Sequence, residues 1–254
     1  MPVDYHIHAL GHGDRKHTLS ELRPFVQKAE ELGLKEIGFA DHDIYLDDIN
    51  FENYKQLKKE YSHINIRVGL EFEYFPQAVG EIKKLIQSHD FDYTIGSVHF
   101  LGDWNFDHPD YMEQYEKWSV EDFYTKYFQT VLDCIETGLF NITGHIDLAK
   151  VFGYRIEQGK VLKLAEPAID AIKHKGMAME VNVGGLYKPA KEIYPSMDII
   201  KMAVKKGVPL TISSDAHRYE DVGRDNGMVV KILKDLGVKW VAGFYKSKMI
   251  EVPL

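Results

Sequence analysis

One stretch near the start of the chain decides how the rest is interpreted: Val3-Asp4-Tyr5-His6-Ile7-His8. It is predicted to be a β-strand, and side chains two residues apart on a strand point to the same face. His6 and His8 therefore present two imidazoles within reach of one metal ion. A His-x-His pair by itself is weak evidence, because backbone carbonyls also satisfy such histidines. The significance of the pair depends on which residue types lie at the carboxyl ends of the other predicted strands.

Apolar runs of strand length alternate with longer amphipathic runs along the rest of the chain. Further strands are predicted at residues 37–40, 64–70, 93–98, 140–144, 177–183 and 208–213, with 240–243 as a final candidate. Helices are predicted at residues 19–32, 78–86, 120–137, 161–174, 199–205 and 229–236. This alternation indicates an α/β fold with a parallel sheet, either closed or open. Residues 102–119, which are rich in aromatic side chains, form the longest irregular stretch and are expected to act as a cap.

Most of the predicted strands end at a residue type that binds metal ions. These residues are His6, His8, His42, Glu71, His99, His145, Asp215 and His217. In a closed barrel the carboxyl ends of all strands surround one site, whereas an open sheet gathers residues only at its switch point. Convergence from six strands therefore predicts a closed or nearly closed barrel, with the site at the C-terminal face of the strands.

The composition is that of an ordinary globular protein of 254 residues, with 31 Lys+Arg, 39 Asp+Glu and a net charge of −8. Neither a linker nor a repeat divides the sequence, so we predict a single domain over residues 1–254. One cysteine excludes an intrachain disulfide and a cysteine-rich metal site. The sequence shows neither a signal peptide nor a membrane-length apolar run nor a basic stripe. We therefore expect a cytoplasmic protein that binds a small molecule rather than a membrane or nucleic acid.

Two carboxylates and seven histidines form a set of nine candidate ligands, enough for two or three divalent ions. Imidazole and carboxylate without thiolate suit zinc, manganese or iron. The seventh histidine, His12, lies between Gly11 and Gly13, where a flexible loop could bring it over the barrel; Asp14 competes for the same role. The other histidines are predicted to be solvated surface residues: His17, His63, His89, His108 and His174.

Six short motifs stand in a fixed order along the chain: Asp4-Tyr5-His6-Ile7-His8, Asp41-His42, Gly69-Leu70-Glu71, Gly96-Ser97-Val98-His99, Gly144-His145-Ile146-Asp147 and Ser214-Asp215-Ala216-His217. In this order and spacing they resemble the polymerase and histidinol phosphatase (PHP) superfamily, from about residue 3 to residue 223. The stretch from Glu180 to Leu186, with Glu192-Ile193-Tyr194-Pro195-Ser196, resembles the histidinol-phosphate phosphatase branch in particular.

The resemblance implies a distorted (β/α)7 barrel of the PHP type, with a trinuclear metal site at the C-terminal face of its strands. Carried over motif by motif, the first ion would be held by His6, His8, Glu71 and Asp215. The second would be held by Glu71 as a bridge, with His99 and His145, and the third by His12, His42 and His217. Asp41 and Asp147 would orient neighbouring imidazoles.

The function implied by the resemblance is hydrolysis of L-histidinol phosphate to L-histidinol and phosphate, a step of histidine biosynthesis. A hydroxide that bridges two metal ions would attack phosphorus, and Glu71, Asp215 and His217 are the predicted catalytic residues. Lys150 or Arg155 is predicted to contact the phosphate, with Arg15, Lys16 and Arg218 as rivals. The alternative is a PHP phosphoesterase that acts on another small phosphomonoester or on a nucleotide.

Overall fold

The computed structural model describes residues 2–254 and shows an α/β fold. Its strands are β1 (Val3–Ile7), β2 (Glu36–Phe39), β3 (Asn65–Glu73), β4 (Tyr93–Ser97), β5 (Phe100–Leu101), β6 (Trp104–Asn105), β7 (Ile142–Thr143), β8 (Ala178–Asn182), β9 (Leu210–Ser213), β10 (Trp240–Tyr245) and β11 (Lys248–Pro253). Its α-helices are α1 (Leu19–Glu31), α2 (Phe51–Glu60), α3 (Val79–Ser88), α4 (Val120–Glu136), α5 (Gln158–Lys175), α6 (Met197–Lys206) and α7 (Asn226–Asp235). Across this described range, every helix is too short or too polar to cross a membrane.

Seven strands of the described chain form one sheet, in the order β1-β2-β3-β4-β7-β8-β9. The pairs β1–β2, β2–β3 and β7–β8 are parallel. A parallel bridge between Ile7 and Ala216 joins the end of β1 to the segment that follows β9, and these are the two edge strands of the sheet. The sheet is therefore a nearly closed parallel barrel, which confirms the predicted fold class.

The chain divides into two compact units, and the first contains the residues up to Glu71, Asp90–Ile95 and Leu210–Leu254. Its core is built on β1, in which all the residues are buried. The Tyr5 ring lies edge-on against Tyr93 and Phe244, and its hydroxyl donates to the Glu36 carboxylate at 2.5 Å. Arg67 Nε donates to the same carboxylate at 3.1 Å, so the buried charge of Glu36 is compensated.

The second unit contains Phe72–His89 and Gly96–Pro209. Within it, α5 ends at Gly176, whose φ of +68° lets the chain leave the helix in the left-handed conformation that glycine adopts without strain. The aromatic stretch predicted to be irregular contains the β5–β6 hairpin and a 3-10 helix at Pro109–Lys117. Trp104 and Phe106 from this stretch both lie 5.5 Å from the Phe123 ring, so the stretch packs on α4.

The sequence prediction was right about one strand outside the large sheet and missed one helix. Residues 240–243 form part of β10, as predicted, and β10 pairs antiparallel with β11 rather than joining the seven-stranded sheet. Helix α2 was not predicted, because it buries only Tyr54 and Leu57 and its apolar stripe is too narrow to stand out among lysines and glutamates. The spacing of apolar residues in such a short surface helix is a weak signal for predicting a helix from sequence.

The prediction that His17 is solvated was wrong. His17 is 7% exposed, its ring lies edge-on against Tyr54 of α2, and its Nδ1 accepts a hydrogen bond from the backbone N–H of Asn50. Because α2 was missed in the sequence, the surface that covers His17 was missed as well. Of the other histidines predicted to be solvated, His89 is half-buried, and three are exposed as predicted: His63, His108 and His174.

Candidate metal centre

The first unit gathers predicted ligands around one buried carboxylate. We call this set the Glu71 cluster: His6, His8, His42, Glu71, Asp215 and His217. Glu71 Oε2 lies 2.8 Å from His42 Nδ1, 3.3 Å from His6 Nε2 and 3.7 Å from His8 Nε2. The ligand atoms of two overlapping trios lie within 4.8 Å of one another, namely those of His6, His8 and Glu71, and those of His8, His42 and His217. Each trio has the ligand types and the spacing that a divalent ion needs.

The side of the cluster that follows β9 contributes Asp215 and His217. Asp215 Oδ1 lies 3.3 Å from His8 Nε2, and the His217 ring centre lies 4.2 Å from that of His8. The exposed His12 also reaches this side, with its ring centre 4.4 Å from that of His217. The competing Asp14 places a carboxylate oxygen 3.7 Å from Arg15. The loop after β1 therefore brings the His12 imidazole, rather than the Asp14 carboxylate, against the ring of another predicted ligand.

Main-chain hydrogen bonds place the ligands of the Glu71 cluster. The N–H of His8 donates to the carbonyl of Ala216 at 2.9 Å, and the N–H of Ala216 donates to the carbonyl of His6 at 3.2 Å. These bonds extend the β1 ladder past the end of β9 and hold Asp215 at φ +56°. Non-glycine residues rarely adopt this left-handed conformation, so the surrounding backbone must stabilise it.

The buried carboxylate of Asp4 also holds the segment that follows β9. It accepts hydrogen bonds from Ser214 N at 2.9 Å, from Ser214 Oγ at 2.6 Å and from Gly223 N at 2.8 Å. Burial raises the pKa of Asp4, and these hydrogen bonds oppose the rise. Asp4 thus ties β1 to both sides of the turn that carries Asp215.

Arg15 fastens the loop after β1. Its Nε donates to the carbonyl of Ala9 at 2.8 Å, and its Nη2 donates to the carbonyl of His8 at 3.1 Å and to that of His217. The rigid guanidinium therefore holds the backbone of two predicted ligands at once. This arrangement gives Arg15 a role that differs from the phosphate contact for which it was a rival candidate.

The charge states around Asp215 suit metal binding. Burial by itself raises the pKa of Asp215, but His6, His8 and His217 hold this pKa well below its usual value. Burial and the neighbouring imidazoles lower the pKa of His8, and burial lowers the pKa of His217 to about 4. The carboxylate is then ionised and these imidazoles are neutral at pH 7, which are the states that ligands require.

The second unit contains two further predicted ligands, the His99–His145 pair. The Nε2 atoms of the two rings lie 3.1 Å apart. The carboxylate of Glu73 contacts His99 twice, with Oε2 2.6 Å from Nδ1 and with Oε1 accepting from the backbone N–H at 3.0 Å. The His99 nitrogen that faces His145 is thus the one that does not contact Glu73.

Side chains also hold the backbone of His145. The N–H of His145 donates to the Glu180 carboxylate at 2.7 Å, and the hydroxyl of Tyr127 donates to the carbonyl of His145 at 3.2 Å. The same hydroxyl accepts from the N–H of Leu148 at 3.1 Å. Tyr127 therefore bridges both ends of the turn that begins at His145.

The predicted phosphate contacts, Lys150 and Arg155, both lie against Glu192. Lys150 is 2% exposed, and its ammonium lies 2.8 Å from Asp147 Oδ2 and 3.1 Å from Glu192 Oε2, and donates to the carbonyl of Ile193 at 2.8 Å. Arg155 is more exposed and contacts Glu192 at 3.0 Å. Burial raises the pKa of Asp147 and the Lys150 charge opposes this rise. Lys150 is therefore a buried cation between two carboxylates, and Arg155 supplies a second cation to Glu192.

The carboxylates that the resemblance placed beside imidazoles are used differently. Asp41 accepts from the backbone N–H of Leu10 at 2.7 Å, and burial raises its pKa to about 6. Asp147 pairs with Lys150 and accepts from the N–H of Ser196 at 2.8 Å. The contact with an imidazole is made instead by Glu73, which the sequence analysis did not single out. Its position two residues after Glu71, on the same face of β3, is the signal that could have found it.

The residues present fit one or more divalent metal ions. The cluster combines carboxylate oxygens with imidazole nitrogens and contains no thiolate. The buried Nε2 of His217 has no hydrogen-bond partner within residues 2–254, as expected of a nitrogen that is meant for an ion. Zinc, manganese and iron all accept such ligands.

Comparison with known proteins agrees with this chemistry. A family model described as the PHP domain matches residues 4–184. The probable histidinol-phosphatase of Deinococcus radiodurans is 31% identical over 97% of this chain and 97% of its own length. The histidinol-phosphatase of Bacillus subtilis is 30% identical over 87% of this chain and 95% of that protein.

Solved structures share the fold. The crystal structure of histidinol phosphate phosphatase from Lactococcus lactis, complexed with zinc, L-histidinol and phosphate, has a TM-score of 0.85. It is 24% identical in sequence, and the match covers 98% of each chain. The structure of the histidinol phosphatase from Listeria monocytogenes, described as putative, matches with a TM-score of 0.75 at 21% identity and covers 89% of this chain and 99% of that one.

Proposed function

The chain belongs to the PHP domain family, and from that premise we propose that it is a metal-dependent histidinol-phosphatase. It hydrolyses L-histidinol phosphate to L-histidinol and inorganic phosphate, as a step of histidine biosynthesis. Relatives that carry this name match nearly the whole chain, which supports the substrate. The family supplies the reaction class, since a PHP domain is a phosphoesterase.

The observation that carries the proposal is the Glu71 cluster. A carboxylate that is 1% exposed lies within 3.7 Å of three imidazole nitrogens, and such a buried anion is stable only with cationic compensation. Hydrolysis of a phosphate monoester is among the slowest uncatalysed reactions and needs strong charge stabilisation. A centre built for several cations meets that requirement.

We propose two to three bound divalent ions, of zinc, manganese or iron. One is assigned to His6, His8, Glu71 and Asp215, and another to His12, His42 and His217. His99 and His145 are assigned to a further ion. When bound, such ions neutralise the phosphoryl oxygens and acidify a water molecule for attack on phosphorus. Glu71, Asp215 and His217 are the proposed catalytic residues, because they hold the ions at the reacting group.

Lys150 and Arg155 are the proposed phosphate contacts, and they differ in burial and in the acceptors that they already have. The Lys150 ammonium already has three acceptors and is buried, whereas the Arg155 side chain is 42% exposed. If a side chain binds phosphate equally in the ground state and the transition state, its loss raises KM and leaves kcat unchanged. Steady-state kinetics of Lys150→Met and Arg155→Met will show which of the two behaves in this way.

The function is tested by measuring phosphate release from L-histidinol phosphate beside a panel of sugar phosphates and nucleotides, with zinc or manganese added. We expect a kcat/KM for L-histidinol phosphate at least about 100-fold above the panel, since a site that binds the polar groups of its substrate strongly rejects analogues that lack them. Activity must disappear with a chelator and return with metal. A flat profile would retain the phosphoesterase and discard the biosynthetic substrate; metal binding without any turnover would discard both.

The remaining expectations belong to the same proposal. We propose that residues 1–254 act as one PHP domain in the cytoplasm. The partner is a small phosphorylated molecule rather than a nucleic acid or a membrane. The acidic net charge of −8 supports this choice, because a nucleic-acid surface requires a basic stripe.

A further inference from the structure

The carboxylate of Glu73 contacts a predicted metal ligand in an unusual, two-point manner. One oxygen lies 2.6 Å from His99 Nδ1, and the other accepts the backbone N–H of the same residue at 3.0 Å. Glu180, the comparable carboxylate of the same unit, touches the backbone N–H of His145. Glu73 is therefore placed to control the imidazole itself as well as the main chain that carries it.

The contact has a defined consequence for the His99 ring. An ionised carboxylate only accepts hydrogen bonds, so Nδ1 carries a proton, and in the neutral ring that an ion binds Nε2 then presents its lone pair. Nε2 is the nitrogen that lies 3.1 Å from Nε2 of His145. Two anchoring points on one residue also restrict rotation of the side chain, because the ring and the N–H are fixed relative to the same carboxylate.

We propose that Glu73 is a positioning residue that fixes the tautomer and the orientation of His99 and thereby sets the affinity for the ion that His99 binds. This inference rests on the proposed metal centre but not on the identity of the substrate. A carboxylate that holds the far nitrogen of a ligating histidine also increases the basicity of the ligand. Replacement of such a residue typically lowers metal affinity about 10–100-fold.

The test uses the zinc-loaded full-length protein and the variants Glu73→Gln, Glu73→Asp and Glu180→Gln. Glutamine has one acceptor, so it satisfies either His99 Nδ1–H or the backbone N–H but not both. Aspartate keeps the charge on a side chain that is one methylene shorter. Glu180→Gln is the matched control, since it removes the same charge from a buried carboxylate of the same unit that accepts the backbone N–H of a ligand.

Two readouts do not depend on activity. The first is zinc affinity, measured by competition with a chromophoric chelator, and the second is the Nδ1–H signal of His99 in nitrogen-15 NMR spectra. We expect Glu73→Gln to hold one zinc ion about 10–100-fold more weakly and to lose the protected Nδ1–H signal. Glu73→Asp should recover part of both, and Glu180→Gln should retain the His99 signal.

The inference is overturned if Glu73→Gln keeps the Nδ1–H signal and the zinc affinity of the unmodified protein. It is also overturned if Glu73→Gln and Glu180→Gln weaken zinc equally and leave the signal intact, because charge alone would then explain the effect. If Glu73→Gln does not fold, the comparison of Glu73→Asp with the unmodified protein decides the matter. Zinc competition needs no substrate, so failure to hydrolyse L-histidinol phosphate would reject the proposed function and leave this test unaffected.

Discussion

The Glu71 cluster and the His99–His145 pair are built from the same residue types but are held in different ways. In the first unit, hydrogen bonds between the backbone of β1 and Ala216 place the ligands, and Arg15 binds the carbonyls of two of them. In the second unit, each histidine depends on a carboxylate side chain, Glu73 for His99 and Glu180 for His145. The first group of ligands is held by several backbone hydrogen bonds together with Arg15 and Asp4, whereas each histidine of the second group is held by a carboxylate that one substitution removes.

This difference predicts which changes each region tolerates. A ligand that is placed by the strand ladder remains in position when a neighbouring side chain is replaced, because the backbone bonds persist. A ligand that is placed by a carboxylate loses its orientation when that carboxylate changes. Substitutions in the Glu71 cluster should therefore alter chemistry with little effect on folding, and substitutions around the second region should alter both.

The largest effect is expected for Glu71→Ala. It removes the carboxylate that lies 2.8 Å from His42 and 3.3 Å from His6, while the strand that carries it remains. Replacing a residue that only supports a metal ligand lowers metal affinity or activity up to about 100-fold. Loss of Glu71, a central ligand, should therefore lower kcat/KM about 1,000-fold or more. The measurement is phosphate release with saturating metal.

The melting temperature of Glu71→Ala serves as its control. If the ladder places the imidazoles, the metal-free variant should melt close to the metal-free unmodified protein. Near-normal turnover would reject the assignment of Glu71 as a shared ligand. A collapse of the metal-free fold would instead show that the cluster itself, and not the backbone, holds this region together.

Lys150→Met tests the side-chain support of the second unit. The variant keeps the volume of the side chain but leaves Asp147 and Glu192 without their shared cation. Breaking a buried ion pair on one side typically costs about 3–5 kcal/mol, because the remaining charge is not compensated. Urea unfolding will measure the change in the free energy of unfolding.

Arg155→Met is the matched control for Lys150→Met. It removes a cation from the same Glu192, but at an exposed position, where a salt bridge contributes about 1 kcal/mol or less. Equal losses in the two variants would contradict the idea that burial makes Lys150 structural. If Lys150→Met lowers the free energy of unfolding by less than about 1 kcal/mol, Lys150 has no structural role and remains only a proposed phosphate contact.

Asp4→Asn tests the backbone support of the first unit. Asparagine presents one acceptor and one donor group where Asp4 accepts from Ser214 N, Ser214 Oγ and Gly223 N. A buried donor that loses its acceptor costs about 1–3 kcal/mol, which is the expected destabilisation. Urea unfolding measures it, with Asp14→Asn, an exposed neighbour in the chain, as the control. Unchanged stability would show that the ladder alone holds the turn at Asp215.

His17 is buried outside both regions and shows how the protonation of one histidine that is not a metal ligand changes stability with pH. Burial lowers its pKa from 6.5 to about 4 in the folded protein. The folded state therefore favours the neutral ring, and this stabilisation is complete above pH 6.5 and is lost as the pH falls toward 4. Between pH 7 and pH 5.5 the loss from this one group is about 1.2 kcal/mol.

The comparison with His17→Gln isolates that contribution from the protonation of the metal ligands. The unmodified protein should lose more stability than the variant over this pH interval, by about the stated amount. Equal losses would show that His17 is free to charge in the folded state. A metal ligand should respond more steeply than His17, because protonation also releases its ion.

The positions of the predicted ligands followed from the sequence because they end strands. Strand periodicity placed His42, Glu71 and His99 at the carboxyl ends of separate strands, and the parallel order of the sheet required only the alternation of strands and helices. These signals are local and repeat along the chain, so single errors in element bounds did not alter the result.

The supporting residues could not be predicted in the same way. The sequence predicts Lys150 as a phosphate contact, but its burial involves Glu192, which lies far along the chain. The contact between Glu73 and His99 depends on side-chain rotamers, which periodicity does not encode. His17 was assigned to the surface because the helix that covers it has a narrow apolar stripe. Long-range pairing of polar groups is the information that a single sequence lacks.

The distance in sequence between Asp4 and its partners has a consequence for synthesis on the ribosome. Ser214 and Gly223 follow Asp4 by 210 and 219 residues, so the first strand emerges long before the segment that fastens it. A nascent chain that has not reached Asp215 carries His6 and His8 without one of their carboxylates. Contacts of such long range form late in folding. The Glu71 cluster is complete only after the segment that carries Asp215 and His217 has been synthesised, so full ion binding must wait for that segment.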